Sequence, residues 1–398
     1  MKQRRLEHGV RPYLTSFVFV GLAANMAGPA LSYLRDRAGT DNGGIAVVFV
    51  TQAIGYIAGS LLAGRVLDRG KGHALISWSL AGGSGAVLGV ALSHSVAPIA
   101  GWFFVLGVAL GLIDVSGNTL VVWSRPGRSD AVLNALHLLF AVGALSAPVI
   151  IDRALAWSHS LWPLLVPLGG LTVACTGVLN SSTAPVRTRL PMTSVDVLDR
   201  PRQLQLAGVC LFFFCYVGVE TGFAGWIHSY VEQIRYGGPA TATGVTATFW
   251  LGFAVGRGAA VWIATRATAA QMLTVSVLGT VVAAVGFWVF EGPGAMLWVT
   301  TFVFAVSVAP QYASMMAFAE TRLALSGGST AALVASSGLG VLVLPWLLGQ
   351  LFDGVGPQAL PPTIAIGSIV VAASAVVVAW VLPTGQRPPA TSMKAPVT

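Results

Sequence analysis

The sequence predicts an all-α membrane protein of twelve transmembrane helices, arranged as two pseudo-symmetric six-helix halves. Three observations carry that reading. Only 9% of the 398 residues are charged and 55% are hydrophobic, with a mean hydropathy of +0.78. A soluble domain carries about 25% charged residues, so this chain has too few to keep an outer surface wet. Twelve apolar stretches, each of roughly the 20 residues that cross hydrocarbon, alternate with short polar breaks. Finally, the chain repeats itself. Residues 20–33 align without gaps with 217–230, at an offset of 197, and six of the fourteen positions are identical. Chance in a Gly/Ala-rich chain gives about one or two. The same offset pairs Gly55 with Gly252, Gly59 with Gly256, Arg69 with Arg266, Gly143 with Gly340 and Pro148 with Pro345.

This composition excludes a soluble enzyme, a nucleic-acid binder and a disordered scaffold. The net charge of +8 is spread over short loops and forms no stripe, so it reports topology and no nucleic-acid partner. Cys175, Cys210 and Cys215 lie in apolar runs with no CxxC or Cys/His spacing, which supports neither a disulfide framework nor a metal site. No cofactor motif is present. Residues 70–73 (GKGH) lack the rest of a phosphate-binding loop.

The first span, 13–34, carries Asn25 and Pro29 behind a basic N-terminal stretch. That stretch imitates a signal peptide, but the span has a repeat counterpart in the seventh and is expected to stay. Span 2 (45–64) holds Gly55, Gly59 and Gly64, small residues that let helices approach closely. Span 3 covers 74–94. Span 4 (98–123) places Asp114 deep in the bilayer with Asn118 at i+4 on the same face. A carboxylate there costs roughly 3 kcal/mol or more unless it meets a partner or water, so function is the default reading. The structural alternative is a hydrogen-bonded acid. Span 5 (131–151) carries Asn134 and His137, where His137 either adds to a cavity or packs as a satisfied histidine. Span 6 covers 161–180.

Residues 181–204 contain three prolines and four arginines and cannot enter hydrocarbon. They read as a cytoplasmic linker between an N-terminal half, 1–180, and a C-terminal half with a short tail, 205–398. Span 7 (205–229) carries Glu220 and Trp226, and span 8 (244–265) carries Arg257 between two glycines. Glu220 reads as a cation-coupling acid, with a salt bridge to Arg257 as its structural alternative. Spans 9 (271–290) and 10 (295–319) follow. In span 10, Gln311 is the repeat partner of Asp114 and is followed by Tyr312. Spans 11 and 12 cover 328–351 and 362–382. With the N-terminus in the cytoplasm, 17 basic residues fall on that side, four outside and one, Arg257, within a span. The positive-inside rule then puts both termini in the cytoplasm of a multi-pass cell-membrane protein.

Residues 55–73 (GYIAGSLLAGRVLDRGKGH) resemble the loop 2–3 signature of the major facilitator superfamily, with Gly64, Asp68 and Arg69 at its core. The resemblance implies gating and helix-packing roles for Gly64, Asp68 and Arg69, with Arg266 as the repeat mate of Arg69. Arg257, a cation within a span, must find an acceptor and reads as a structural or gating ion-pair partner before a ligand group. Residues 107–121, 133–148 and 216–230 resemble spans 4, 5 and 7 of the fucose/galactose/glucose-type cation:sugar symporters. That family implies a site between the halves near the bilayer midplane, cation-coupled sugar uptake, and a span-4 acid in proton or sugar handling, here Asp114. The chain departs from the fucose permeases where Gly28, and no acid, precedes Pro29, so proton and sodium coupling both stay open.

The expected function is therefore secondary active transport of a small polar solute, a monosaccharide foremost, by cation-coupled alternating access. The alternative is a proton-antiport exporter of a drug-like or secondary metabolite. Asp114 and Glu220 are the coupling candidates. Asn25, Asn118, Gln311, Tyr312, Trp226 and His137 are the solute-contact candidates. The expected partners are the solute, a proton or sodium ion and the lipid bilayer around a monomer.

Overall fold

The computed structural model describes residues 2–67, 69–124, 130–181, 183–185, 200–290, 292–323 and 327–381. Asp68, most of the linker and the C-terminal tail lie outside that set, as does the side chain of Asn134. Within it the chain is helical, with no strand among the described residues. Ten segments are long and apolar enough to cross a membrane, and the bent pair that forms span 1 makes an eleventh. Span 8, Pro239–Ile263, is the twelfth. It is 25 residues long and its apolar run is interrupted by Arg257.

Two spans depart from the simple helices expected. Span 1 consists of Lys2–Ala24 and Ala27–Ala38, bent by 41°. Pro29 has no N–H for the carbonyl of Asn25 and crowds it, which ends the first helix there. Gln52 of span 2 donates from Nε2 to the freed carbonyl of Ala24 (3.1 Å), and Asn25 donates to Gly21 O (2.8 Å). Span 10 likewise breaks into Ala295–Val308 and Gln311–Leu323 ahead of and behind Pro310.

Glycine decides how the helices meet. Lipid tails are as apolar as leucine, so helices associate in a membrane by close van der Waals packing. A Cβ at Gly55 would overlap the carbonyl of Phe104, and one at Gly59 the carbonyl of Val108. Reciprocally, Gly107 meets Gln52 O and Gly111 meets Tyr56 O. Spans 2 and 4 (Val47–Leu67 and Val96–Ser124) therefore touch backbone to backbone over two turns. The repeat mates behave alike, with Gly252 and Gly256 of span 8 against the carbonyls of Phe302 and Val306 in span 10. A second pair of contacts follows the same offset: Gly21 and Gly143 join spans 1 and 5, and Gly218 and Gly340 join spans 7 and 11. Gly64 is the exception. It is exposed and a Cβ there meets nothing within 4 Å, so its expected packing role is not realised at this position.

Spans 2 and 8 end at Leu67 and Ile263, which puts Arg69 and Arg266 just beyond them on one face of the bundle, here the basic face. Arg266 folds back over Trp262, 3.9 Å from its ring centre. At the opposite, far face, contacts between the halves gather. Ser32 donates to Glu232 (2.5 Å) and Gln233 to Asn42 (3.2 Å). Asp353 of span 11 accepts from Asn42 N–H (2.9 Å), Asn42 Nδ2 (2.8 Å) and Gly43 N–H. Just inside this latch Phe49 packs on Trp226, and Gly28 lies against the backbone of Gly225. The far face is sealed.

These contacts separate two kinds of glycine. Gly59→Ala should lower stability by about 1–3 kcal/mol, because neither backbone can yield without disturbing the other. Gly64→Ala should stay within about 0.5 kcal/mol of the parent. Thermal unfolding in detergent reads both, and equal losses at the two positions would contradict the packing described.

Candidate functional site

Glycine packing between spans 2 and 4 places Tyr56, the neighbour of Gly55, directly against the turn that follows Gly111. There the Tyr56 hydroxyl donates to Asp114 Oδ2 at 2.5 Å. Asn118, one turn on, donates from Nδ2 to Asp114 Oδ1 (3.1 Å) and to the Asp114 carbonyl (2.9 Å). Each carboxylate oxygen of Asp114 thus has one donor. The i,i+4 spacing of Asp114 and Asn118 was visible in the sequence, whereas Tyr56 was not singled out. Its signal was present, since it adjoins the first glycine of a Gly-xxx-Gly stripe facing the acid's own helix.

The C-terminal half presents a different chemistry toward the same space. Tyr312 of span 10 lies within electrostatic reach of Asp114 across the interface, and of Glu220 and Arg257 within its own half. Its ring packs edge-on against Phe213 (4.9 Å between centroids) and near Tyr216 (6.5 Å). Tyr56 and Tyr312, on opposite halves, also lie within electrostatic reach of one another. Glu220 and Arg257 are within electrostatic reach of one another but do not close an ion pair. Arg257 instead stacks over Phe253, 5.0 Å from its centroid. The Tyr216 hydroxyl, one turn before Glu220, points at that carboxylate without reaching hydrogen-bond geometry and is buried without a partner. From the N-terminal half His137 senses Arg257 and packs edge-on against Phe17 (6.0 Å). His137 is exposed.

Two sequence expectations need correction. Gln311 is fully buried and turned toward span 9, where Nε2 donates to Thr280 Oγ1 (2.6 Å) and to Ser276 O (3.3 Å). The glycine contacts of spans 8 and 10 already fall one residue beyond the repeat offset, on Phe302 and Val306 where the mates of Phe104 and Val108 would be Thr301 and Ala305, so Tyr312 takes the place equivalent to Asp114 and Gln311 ties spans 9 and 10 together. Trp226 is also fully buried. Its indole N–H donates to Pro345 O (2.8 Å) and its ring packs on Phe49 and Phe352, which places it in the far-face seal and away from the polar cluster. Asn25 is half-buried at the span 1 break. Among the described residues no group of three or more His, Cys, Asp and Glu side chains is placed to hold a metal ion.

A twelve-span bundle with its polar and charged side chains gathered where two repeated halves meet defines the class of membrane solute transporters. Residues 13–333 match the model of the Major Facilitator Superfamily, and the chain belongs to that superfamily. Its relatives include the sodium-dependent glucose transporter 1 of Danio rerio, 26% identical over 379 residues, an alignment that covers 85% of this chain and 64% of the relative. The chain thus spans less than two thirds of that protein's length. Among solved structures, a variant of the nucleoside transporter NupG superposes with a TM-score of 0.73 at 13% identity, covering 92% of this chain and 98% of that one. The E. coli fucose:proton symporter FucP gives 0.63 at 16%, covering 94% and 99%. At such identities the likeness is one of fold.

Replacing Gln311 with Leu should destabilise the protein by about 1–3 kcal/mol, through the lost bonds to Thr280 and Ser276. Transport per folded molecule should be kept. Loss of transport with stability intact would return Gln311 to the solute pathway.

Proposed function

We propose that this protein is a secondary transporter that moves a monosaccharide by cation-coupled alternating access, with Asp114 as the coupling carboxylate. The observation that carries the proposal is the Tyr56–Asp114–Asn118 cluster set against Tyr312 across the interface of the halves. An acid held by two donors within the bundle, next to the surface along which the halves rock, can exchange a cation when that surface opens. Protonation or sodium binding at Asp114 changes what the carboxylate offers Tyr56, and Tyr56 sits on span 2, which also packs against span 11 near Gly338. The cation and the helix contact are thereby linked. The sugar class is supported by the sodium-dependent glucose transporter relatives. Sodium is supported over the proton by the sodium dependence of those relatives and by Gly28 standing before Pro29.

With the far face sealed, the site is reached from the basic face, which the positive-inside rule puts in the cytoplasm. Three steps make up the cycle. Solute and cation leave to the cytoplasm in the state described. The empty halves then rock so that the Asp353 and Glu232 contacts release. Binding from the other side recloses them.

Asp114→Asn removes the charge, keeps one acceptor oxygen and turns the other into an amide donor. In proteoliposomes it should abolish accumulation of radiolabelled glucose driven by a sodium or proton gradient, while counterflow persists. Undiminished accumulation would end the coupling role. Cysteines placed at Arg69 and Arg266 should react with impermeant thiol reagents only from the cytoplasmic side. Labelling of both from outside intact cells would overturn the orientation.

A further inference from the structure

Within the polar cluster, Asp114 is fully engaged by donors, whereas three groups of the C-terminal half are not. Glu220 and Arg257 are half-buried and lie within electrostatic reach without an ion pair between them, and the Tyr216 hydroxyl approaches the Glu220 carboxylate just outside hydrogen-bond geometry. The Tyr216 hydroxyl is buried at 1% residue exposure and has no partner. Native proteins rarely leave such groups unsatisfied without a reason. Here all three are held by rigid neighbours: Tyr216 stacks on Phe212 (5.9 Å), Glu220 lies one turn further along the same helix, and Arg257 lies over Phe253.

We propose that Glu220, Arg257 and Tyr216 form a recognition site for adjacent hydroxyl groups of a neutral sugar, an assignment that rests on the transport reading above and gives it a binding site. A carboxylate only accepts, a guanidinium only donates, and a phenol does both. A hydroxyl is the solute group that serves either. One hydroxyl donates to Glu220 while its neighbour accepts from Arg257, each over about 2.7–3.2 Å, and Tyr216 completes the first. The charges also select. A sugar acid meets repulsion from Glu220, an amino sugar meets repulsion from Arg257, and a neutral diol meets neither. Tyr312 and Phe213, packed edge-on, supply the apolar wall on which the C–H face of a pyranose rests. The assignment moves Glu220 from cation coupling to solute contact and leaves coupling to Asp114.

The test uses the full chain in lipid nanodiscs, titrated calorimetrically with D-glucose and its 2-, 3- and 6-deoxy analogues. Glu220→Gln and Arg257→Lys should each weaken glucose binding by about tenfold or more. For the analogue lacking the hydroxyl that a given side chain contacts, variant and parent should bind alike. Tyr216→Phe, the mildest change, should show the same pattern and serves if either charge variant fails to fold. Unchanged glucose affinity, or an equal loss on every analogue, would each overturn the assignment. If the parent binds none of these sugars, the sugar reading itself falls, and the assignment with it.

Discussion

Everything at the centre of this molecule depends on helix backbones touching where glycine leaves no side chain between them. Spans 2 and 4 meet at four such glycines, Gly55, Gly59, Gly107 and Gly111, each seated on a carbonyl of the other helix. That proximity lets a tyrosine on one helix reach a carboxylate on the next at hydrogen-bond distance. Bulkier residues would push the helices apart by more than a phenol can bridge. The same contact recurs at Gly252 and Gly256 in the other half, but the chemistry built on it differs. In the first half it holds an acid; in the second, Gln311 binds span 9 instead. The scaffold is symmetric and the site is not.

How far the sequence reveals this follows from how local each signal is. The repeat offset found Gly55, Gly59, Gly143 and their mates, and these are among the closest interhelical contacts, because a missing side chain marks a contact whatever the conformation. The Asp114–Asn118 pairing was equally readable, since both lie on one helix and need only the helical period. Tyr56 was missed because its partner is on another span. Gln311 was misassigned because the ungapped offset of 197 runs one residue short in span 10, where the glycine contacts fall on Phe302 and Val306 and make Tyr312 the mate of Asp114. Trp226 lies beyond local signals altogether. Its place in the seal depends on how the halves are tilted, and no residue near it in sequence encodes that. Gln52, which carried no sequence assignment, proves to hold the carbonyl freed at the span 1 break.

The two halves divide the polar work unevenly. The N-terminal half offers a carboxylate already satisfied by its own neighbours, stable in the absence of any ligand. The C-terminal half offers groups that neighbours leave open. Such a division suits a protein that must be both durable when empty and responsive when loaded, because satisfied groups stabilise the resting fold while open ones reserve their bonds for the ligand. Gln52 at the span 1 bend and Gln311 behind the span 10 break play a third part. Gln52 holds Ala24 O, and Gln311 reaches Ser307 O (3.4 Å) ahead of Pro310, so a membrane helix can bend without exposing bare backbone.

The latch at the far face has an uneven anatomy with a consequence for inheritance. On one side it is a single side chain, Asp353; on the other, two of the three donors are main-chain N–H groups, at Asn42 and Gly43. Main chain is present whatever the codon says, but a side chain at Gly43 would press its Cβ onto Gln350 and onto Asp353 itself. The acid has no substitute nearby, and the glycine opposite it admits none. Descendants of this protein would therefore keep the two together. The lock would be recorded in their genes as a matched pair, one acid and one missing side chain.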